Sequence, residues 1–379
     1  MSEKAFGGAV NASRNSTGFS GVLKRKEQNM RSFQYIAIEG ATPSERGVQY
    51  GTHARREIQS GINDYKTFFT QMEGRDWKAL TEYTFSLLPL IEQKMPELLE
   101  EAKGIAEGAQ VSFGDLMVLN CRYEITKFRS EQECTTCVVL PEASAGEKTL
   151  LVKNWDYRAG ILNNIVVVHI KEADGTEIIG LTEAGQLIRD GFNSHGIGLC
   201  NNSLKSVNDG SGPGIPVTFL RRKVFSCKTF EEAENLLITT KRSVSTNMLL
   251  AARDGRAVNI EAHPDGCDIL KPKEGILTHA NHFLVSPHLE TSEATPRGKR
   301  LEELLQKNHG NITVDYIKQC LCDHQNYPKA ICRHPSDVSI PLTQRGMTVA
   351  SMIVDFDEKI VHICAGPPCE GEFLVYSML

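Results

Sequence analysis

Alternating apolar and polar positions at 33–38 predict a strand, and 43–71 then reads as a loop running into a helix with Gly47 and Gly51 on one face. Ile91, Met95, Leu98, Ala102 and Ile105 recur at helical spacing, with Glu92, Lys94, Glu97 and Glu101 on the other faces, so this stretch lays an aliphatic stripe on a core. Beyond residue 134 the period shortens. Strands are expected at 149–154, 165–170, 177–181, 197–201, 247–252 and 258–262, and the turns between them hold Gly, Asp and Asn, as in Ala173-Asp174-Gly175 and Arg253-Asp254-Gly255. Helical stretches at 216–224, 229–239, 298–307 and 313–322 interrupt them, and the chain closes on strands at 349–356 and 359–364. Strands joined mainly by hairpins, with helices in separate blocks, predict an α+β fold of two packed, mainly antiparallel sheets covered by helices. No repeat and no linker interrupts the chain after residue 35.

The sharpest change of character falls at Glu133-Cys134-Thr135-Thr136-Cys137-Val138-Val139, where a helical segment stops and a run suited to a buried strand starts. A second short strand, Leu151-Val152-Lys153-Asn154-Trp155-Asp156, follows after a turn, and pairing the two returns Asp156 to the neighbourhood of Cys134. A cysteine that opens a strand is placed to become a new N-terminus. Taken alone, a cysteine among β-branched residues is equally a small buried hydrophobe.

Composition narrows the partners. With 379 residues and 40% hydrophobic content the chain can bury a large core as one large domain or two modest ones. A formal charge of -5 from 42 basic and 47 acidic residues leaves no footprint for nucleic acid or anionic membrane, so a small-molecule substrate is expected. No apolar run reaches the roughly 18 residues needed to span a bilayer. The N-terminal residues, rich in Gly, Ser, Asn and Lys, lack a secretory apolar core and read as a disordered leader over 1–31, with Met30 near the start of the folded part. A cytoplasmic protein is expected. Eleven cysteines, an odd number, fit a reducing compartment. Cys134/Cys137 and Cys320/Cys322 invite a zinc reading, but the second spacing is short and no His-x3-5-His arm accompanies either, so no metal and no cofactor are expected.

Further motifs follow in order: Asn120-Cys121-Arg122-Tyr123-Glu124, Cys134-Thr135-Thr136, Asn154-Trp155-Asp156, Leu181-Thr182-Glu183-Ala184-Gly185, Gly191-Phe192-Asn193-Ser194-His195-Gly196, Thr278-His279-Ala280-Asn281-His282, Asn326-Tyr327-Pro328 and Ile331-Cys332-Arg333. Over roughly residues 32 to 379 this series resembles the isopenicillin N acyltransferase family of self-processing N-terminal-nucleophile cysteine hydrolases, which includes β-alanyl-amine hydrolases. The resemblance implies a four-layer αββα sandwich made as an inactive precursor, cut at Glu133-Cys134 into an α segment at 32–133 and a β segment at 134–379. Penicillin-forming members have glycine before the cysteine, and Glu133 departs from that pattern in a way that can slow processing.

The chemistry of such a site follows from its residues. A thiol has a reference pKa of about 8.5 and an α-amino group one of about 7.7 to 8.0, so a freed N-terminal cysteine holds nucleophile and base in one residue. By resemblance, Asp156 orients the new amino group and Asn281 supplies an oxyanion-hole N–H. Arg345, in Gln344-Arg345-Gly346, matches an active-site arginine that poises the thiolate or binds a substrate carboxylate. Arg122 and Glu124 are read as a buried structural pair, and His195, His279 and His282 as structural. The activity implied is amide hydrolysis or acyl transfer through a Cys134 thioester, on N-acyl or β-alanyl amines or amino acids, with acyl-coenzyme A as an alternative donor. A cleavage-defective binding or scaffold protein is the alternative of another class. Ser377-Met378-Leu379 resembles a Ser-Lys-Leu address, with Met for the basic residue, and offers a peroxisomal destination in a eukaryotic source.

Overall fold

The computed structural model of the chain describes residues 31–126 and 134–378. Most of the expected leader, the residue Glu133 at the expected cut and Leu379 of the C-terminal tripeptide lie outside them. The first strand, β1 (Gln34–Glu39), follows its alternation. The loop expected after it does not exist. Thr42 and Glu45 form a capping box, each side chain taking the other's backbone N–H at 3.2 and 3.0 Å, and Pro43 supplies a preset first helical residue. Helix α1 (Pro43–His53) therefore starts at once, and α2 (Arg55–Thr67) follows, running into a π-helical turn at Phe68–Met72. The stripe from Ile91 to Ile105 is also not one helix. Pro96 has no N–H to donate and divides it into α4 (Leu88–Lys94), which follows α3 (Trp77–Ser86), and α5 (Pro96–Ala109). Helices α6 (Phe113–Asn120) and α7 (Arg122–Thr126) complete this half.

After residue 134 come β2 (Cys134–Val139), β3 (Leu150–Arg158), β4 (Ile165–Lys171), β5 (Glu177–Glu183), β6 (Asp190–Asn193) and β7 (Ile197–Ser203). Helices α8 (Val217–Val224) and α9 (Phe230–Thr239) lead to β8 (Thr246–Ala252), β9 (Ala257–His263), β10 (Gly266–Leu270) and β11 (Ile276–His279). Then follow α10 (Arg297–Gln306), α11 (Val314–Leu321), β12 (Gly346–Asp355), β13 (Ile360–Ala365) and β14 (Phe373–Ser377). The pattern did not signal β6, β10, β11 or β14. β6 is short and carries a glycine because Gly191 lies against Gly180 of β5, where a Cβ would meet the Ile179 carbonyl oxygen at 2.2 Å.

Among the described residues the strands form two sheets, ordered β1-β4-β5-β6-β7-β8-β9-β10 and β11-β2-β3-β12-β13-β14. Every pairing is antiparallel except β1 with β4. The sheets pack face to face through β7 on β2 and β3. Side chains alternate accordingly. Val138, Leu151 and Trp155 face the inter-sheet core, whereas Cys137, Val139, Leu150 and Val152 face a separate apolar layer with Leu301, Leu305, Ile317 and Leu321 of α10 and α11. α9 covers β8 and β9, and α1 packs on β1. The result is the expected four-layer αββα sandwich. No helix among the described residues is long and apolar enough to cross a membrane.

Helices α1 and α5 cross closely because each presents glycines. A Cβ on Gly51 would stand 2.2 Å from the Ile105 carbonyl oxygen, and one on Gly108 2.2 Å from that of Val48. Gly51→Ala is therefore expected to cost about 3 kcal/mol through overpacking. Gly61→Ala in α2, where a Cβ meets only Asn164 Nδ2 at 3.8 Å, should gain about 0.5 to 1 kcal/mol of helix propensity. Urea unfolding of the two variants checks this, and equal effects would discard the close-crossing argument.

Glu124 of α7 is buried and accepts the Val217 N–H at the start of α8 at 2.9 Å. Burial pushes its carboxyl up to about 7, against the opposing pull of that bond and of Arg221 and Arg122. A raised folded-state pKa gives stability that is present below the ordinary carboxylate value and lost as pH rises through the folded one. Between about pH 5 and 8 the native chain should lose about 3 kcal/mol relative to Glu124→Gln. Unfolding midpoints of both proteins across that range measure the difference, and parallel profiles would refute it.

Candidate active site

The β2–β3 register sets the site. Cys134 pairs with Trp155 and Thr135 with Asn154, so the first residue of β2 lies one step from Asp156. Cys134 is 1% exposed, and its Sγ lies 3.9 Å from the Asp156 carbonyl oxygen. Its backbone N–H donates to Oδ1 of Asn281, just beyond β11.

Asn281 is fixed from both ends of its amide. Oδ1 also accepts from Arg297 Nη2 at 3.0 Å, while Nδ2 donates to the carbonyl oxygen and to Oγ of Ser203 at 2.9 and 3.0 Å. Donors thus meet the oxygen and acceptors meet the nitrogen, which sets the orientation. The N–H expected to serve an oxyanion is engaged with Ser203, and the oxygen holds Cys134. The backbone before Asn281 is held as well: Asn202 Nδ2 bridges Thr136 Oγ1 at 2.9 Å and the Ala280 carbonyl at 3.1 Å, and His279 joins Glu261 at 2.7 Å. His282 stacks on His279 with ring centroids 6.5 Å apart, and His195 sits in the β6–β7 turn near Thr176, at 3.1 Å. Ser203 and Arg297 carry no sequence signal, since they come from the end of β7 and the start of α10.

Asp156 is buried on β3, where its Oδ1 accepts the Thr348 hydroxyl at 2.7 Å. The β3–β12 register shifts between Thr348 and Ala350, and this local irregularity lies beside Asp156. Thr348 is clamped in turn: its Oγ1 accepts the Arg333 N–H at 2.9 Å and its own N–H reaches the Arg333 carbonyl at 3.0 Å. Arg345 is engaged elsewhere. Its guanidinium donates to the carbonyl oxygens of Ile340 and Val338 at 2.9 and 3.3 Å, holding the loop that precedes β12.

On the inner side of Cys134 lies a cluster of buried charge. The Arg189 guanidinium stands 4.3 Å over the Trp155 ring, whose residue pairs with Cys134. It bonds Asp190 at 3.0 Å, which also takes Lys153 Nζ at 2.8 Å. Arg122 pairs with Glu183, not with Glu124 as its sequence proximity implied, and donates to Tyr65 Oη at 2.6 Å. Three guanidiniums, of Arg122, Arg189 and Arg221, donate to Tyr123 Oη. Burial opposes ionisation of this phenol, but the three charges outweigh it and hold its pKa below the ordinary value.

The sequence profile of the family described as acyl-coenzyme A:6-aminopenicillanic acid acyl-transferase matches residues 144–370. The chain is 26% identical over 345 residues to the 40 kDa form of the acyl-coenzyme A:6-aminopenicillanic-acid-acyltransferase of Emericella nidulans, covering 88% of this chain and 93% of that protein. Among solved structures, a Caenorhabditis elegans N-acylethanolamine-hydrolyzing acid amidase ortholog superposes with a TM-score of 0.44 at 16% identity, over 59% of this chain and 93% of that one. A variant of the conjugated bile acid hydrolase of Clostridium perfringens gives 0.45 at 12% identity, over 61% and 89%. With a family match spanning more than half of its length, this chain is an enzyme that belongs to the acyl-coenzyme A:6-aminopenicillanic acid acyl-transferase family.

Proposed function

We propose that the chain is an autoproteolytically activated N-terminal cysteine enzyme that opens amide bonds of small N-acyl or β-alanyl amines or amino acids through a Cys134 thioester. The observation that carries this reading is the position of Cys134: first residue of a buried strand, its nitrogen on Asn281 Oδ1 and its sulfur against the Asp156 carbonyl. A thiol that is 1% exposed in the uncut chain meets no substrate, which fits an inactive precursor.

In the proposed activation, Cys134 Sγ adds to the Glu133 carbonyl carbon, the peptide C–N bond breaks, and the thiol proton passes to the departing nitrogen. Water then cleaves the thioester, leaving the Glu133 carboxyl group and a free α-amine on Cys134. That amine takes the thiol proton when the sulfur attacks a substrate amide, and returns it to the leaving amine. Asn281 Oδ1 would hold the α-amine in line, and Asp156, fixed by Thr348, would orient β2 and β3 around it. An oxyanion role for Asn281 requires Nδ2 to leave Ser203. Arg345 is assigned to positioning the 338–345 loop.

Water at about 55 M captures the thioester unless a pocket orients an amine, and nothing in the described residues marks an amine site, so hydrolysis is proposed as the default. Transfer from acyl-coenzyme A is the second reading, favoured by the activity in the name of the Emericella nidulans relative.

Freshly purified protein is expected to resolve on a denaturing gel into two chains, the second with Cys134 at its N-terminus by Edman sequencing, while Cys134→Ala stays whole. Intact wild-type protein that turns over substrate would falsify the mechanism, and intact inactive protein would favour a scaffold. Product analysis with N-acyl amines and acyl-coenzyme A, with and without added amine, then separates hydrolysis from transfer.

Loss of one preorganised hydrogen-bonding group at the reacting centre lowers kcat on the order of 10²- to 10³-fold, and this is expected of cleaved Asn281→Ala. Asn281→Asp keeps the acceptor for the Cys134 nitrogen and should recover much of that loss. If the aspartate variant is as slow as the alanine one, the N–H and not the oxygen is the working atom.

A further inference from the structure

Four ligand-type side chains converge away from Cys134, where the loop after α11 meets the turn after β13. The His324 Nε2 and His334 Nε2 atoms are 3.1 Å apart, and His334 Nε2 lies 3.6 Å from Cys332 Sγ and 3.2 Å from Cys369 Sγ. The two sulfurs are 3.6 Å apart, both thiols are free, and all four atoms lie within 4.8 Å of one another.

These separations are those of a coordination shell. Zinc bonds of about 2.3 Å to sulfur and about 2.0 to 2.1 Å to nitrogen set tetrahedral edges of about 3.3 Å for N···N, 3.5 Å for N···S and 3.8 Å for S···S. Four of the six edges fall within a few tenths of an ångström of that set, and the two from His324 Nε2 to the sulfurs are no longer than 4.8 Å. A second observation is independent of them. His334 Nδ1 faces Glu370 Oε1 at 3.1 Å, the outer carboxylate that places a metal-ligating histidine's proton on Nδ1 and its lone pair on Nε2. With its proton there, His334 Nε2 offers only an acceptor to three neighbours, and a cation satisfies all four donor atoms together.

We propose that His324, Cys332, His334 and Cys369 bind one zinc-class divalent ion in a closed structural site. Binding displaces the two thiol protons to solvent, so two thiolates balance the charge of the ion. The ligands flank Arg333, whose backbone clamps Thr348, and Thr348 holds Asp156. The ion would therefore staple the strap that fixes the Asp156 side of the active site. The pairs Cys134/Cys137 and Cys320/Cys322 contribute no ligand to it.

The test uses the full chain, stripped of metal under reducing conditions and titrated with Co²⁺ and then Zn²⁺. Wild-type protein is expected to bind about one equivalent, with the intense visible bands of tetrahedral cobalt and a thiolate-to-cobalt charge-transfer band, and to gain thermal stability with Zn²⁺. Cys369→Ser and His324→Ala, both at exposed positions, should fold and weaken binding by at least about tenfold, with the charge-transfer band reduced in the former. Wild-type protein that shows only the pale spectrum of hydrated cobalt, or a Cys369→Ser spectrum identical to wild type, overturns the proposal. So does a Cys332–Cys369 disulfide in the chain freshly purified without reductant.

Discussion

Six consecutive pairs between β2 and β3, from Cys134 opposite Trp155 to Val139 opposite Leu150, decide which side of the inner sheet each group of the site occupies. Side chains alternate faces, so a slip of one residue would turn Cys134 toward the α10–α11 layer and bring Cys137 into the inter-sheet core. The slip is opposed on both faces at once. Val138, Leu151 and Trp155 fill one apolar layer and Val139, Leu150 and Val152 the other, and neither set can exchange without parting Lys153 from Asp190 and Asn154 from the Leu321 carbonyl. Hydrophobic register thus does the aiming that the chemistry requires.

Burying so much charge beside that register is costly unless every ion is paired. Lys153 and Arg189 share the Asp190 carboxylate within hydrogen-bond distance, and Arg122 meets Glu183 while its face lies over aromatic rings of Tyr123 and Tyr157 at 4.6 and 4.8 Å. These contacts join α7, β3, β5 and β6 across the layers. The segment just ahead of residue 127 is thereby tied by a directional bond to β5 of the eight-stranded sheet, and the Lys153–Asp190 pair links that sheet to the one that bears Cys134.

Local rules reached the parts of the fold that local forces decide. Turn residues and alternation located β4, β7, β8 and β9, and the Cys134 boundary was visible as a change of period. Where distant groups decide, the sequence was mute or misleading. Glu124 is two residues from Arg122, yet Arg122 turns to Glu183, because α7 presents the two side chains to different neighbours. Ser203 and Arg297 reach Asn281 from 78 and 16 residues away. The residue types at Cys134, Asp156 and Asn281 were legible through ordered motifs. The direction of the Asn281 amide was not, since it depends on those two distant partners. The His324–Cys369 cluster escaped for the same reason, its last member standing 35 residues beyond His334 in sequence.

β1 belongs to the stretch before Cys134 but is the parallel edge partner of β4, which comes after it, with six residue pairs from Gln34–Val166 to Glu39–Lys171. In an unbroken chain this pairing only closes a loop. In the cut form proposed above, the same bonds, together with the ion pairs of Arg122 and Arg222 to partners on the other piece, would be an intersubunit interface. Unfolding would then change molecularity: two polypeptides would have to part and find each other again, so the midpoint of that form would depend on its own concentration as that of an uncut chain does not.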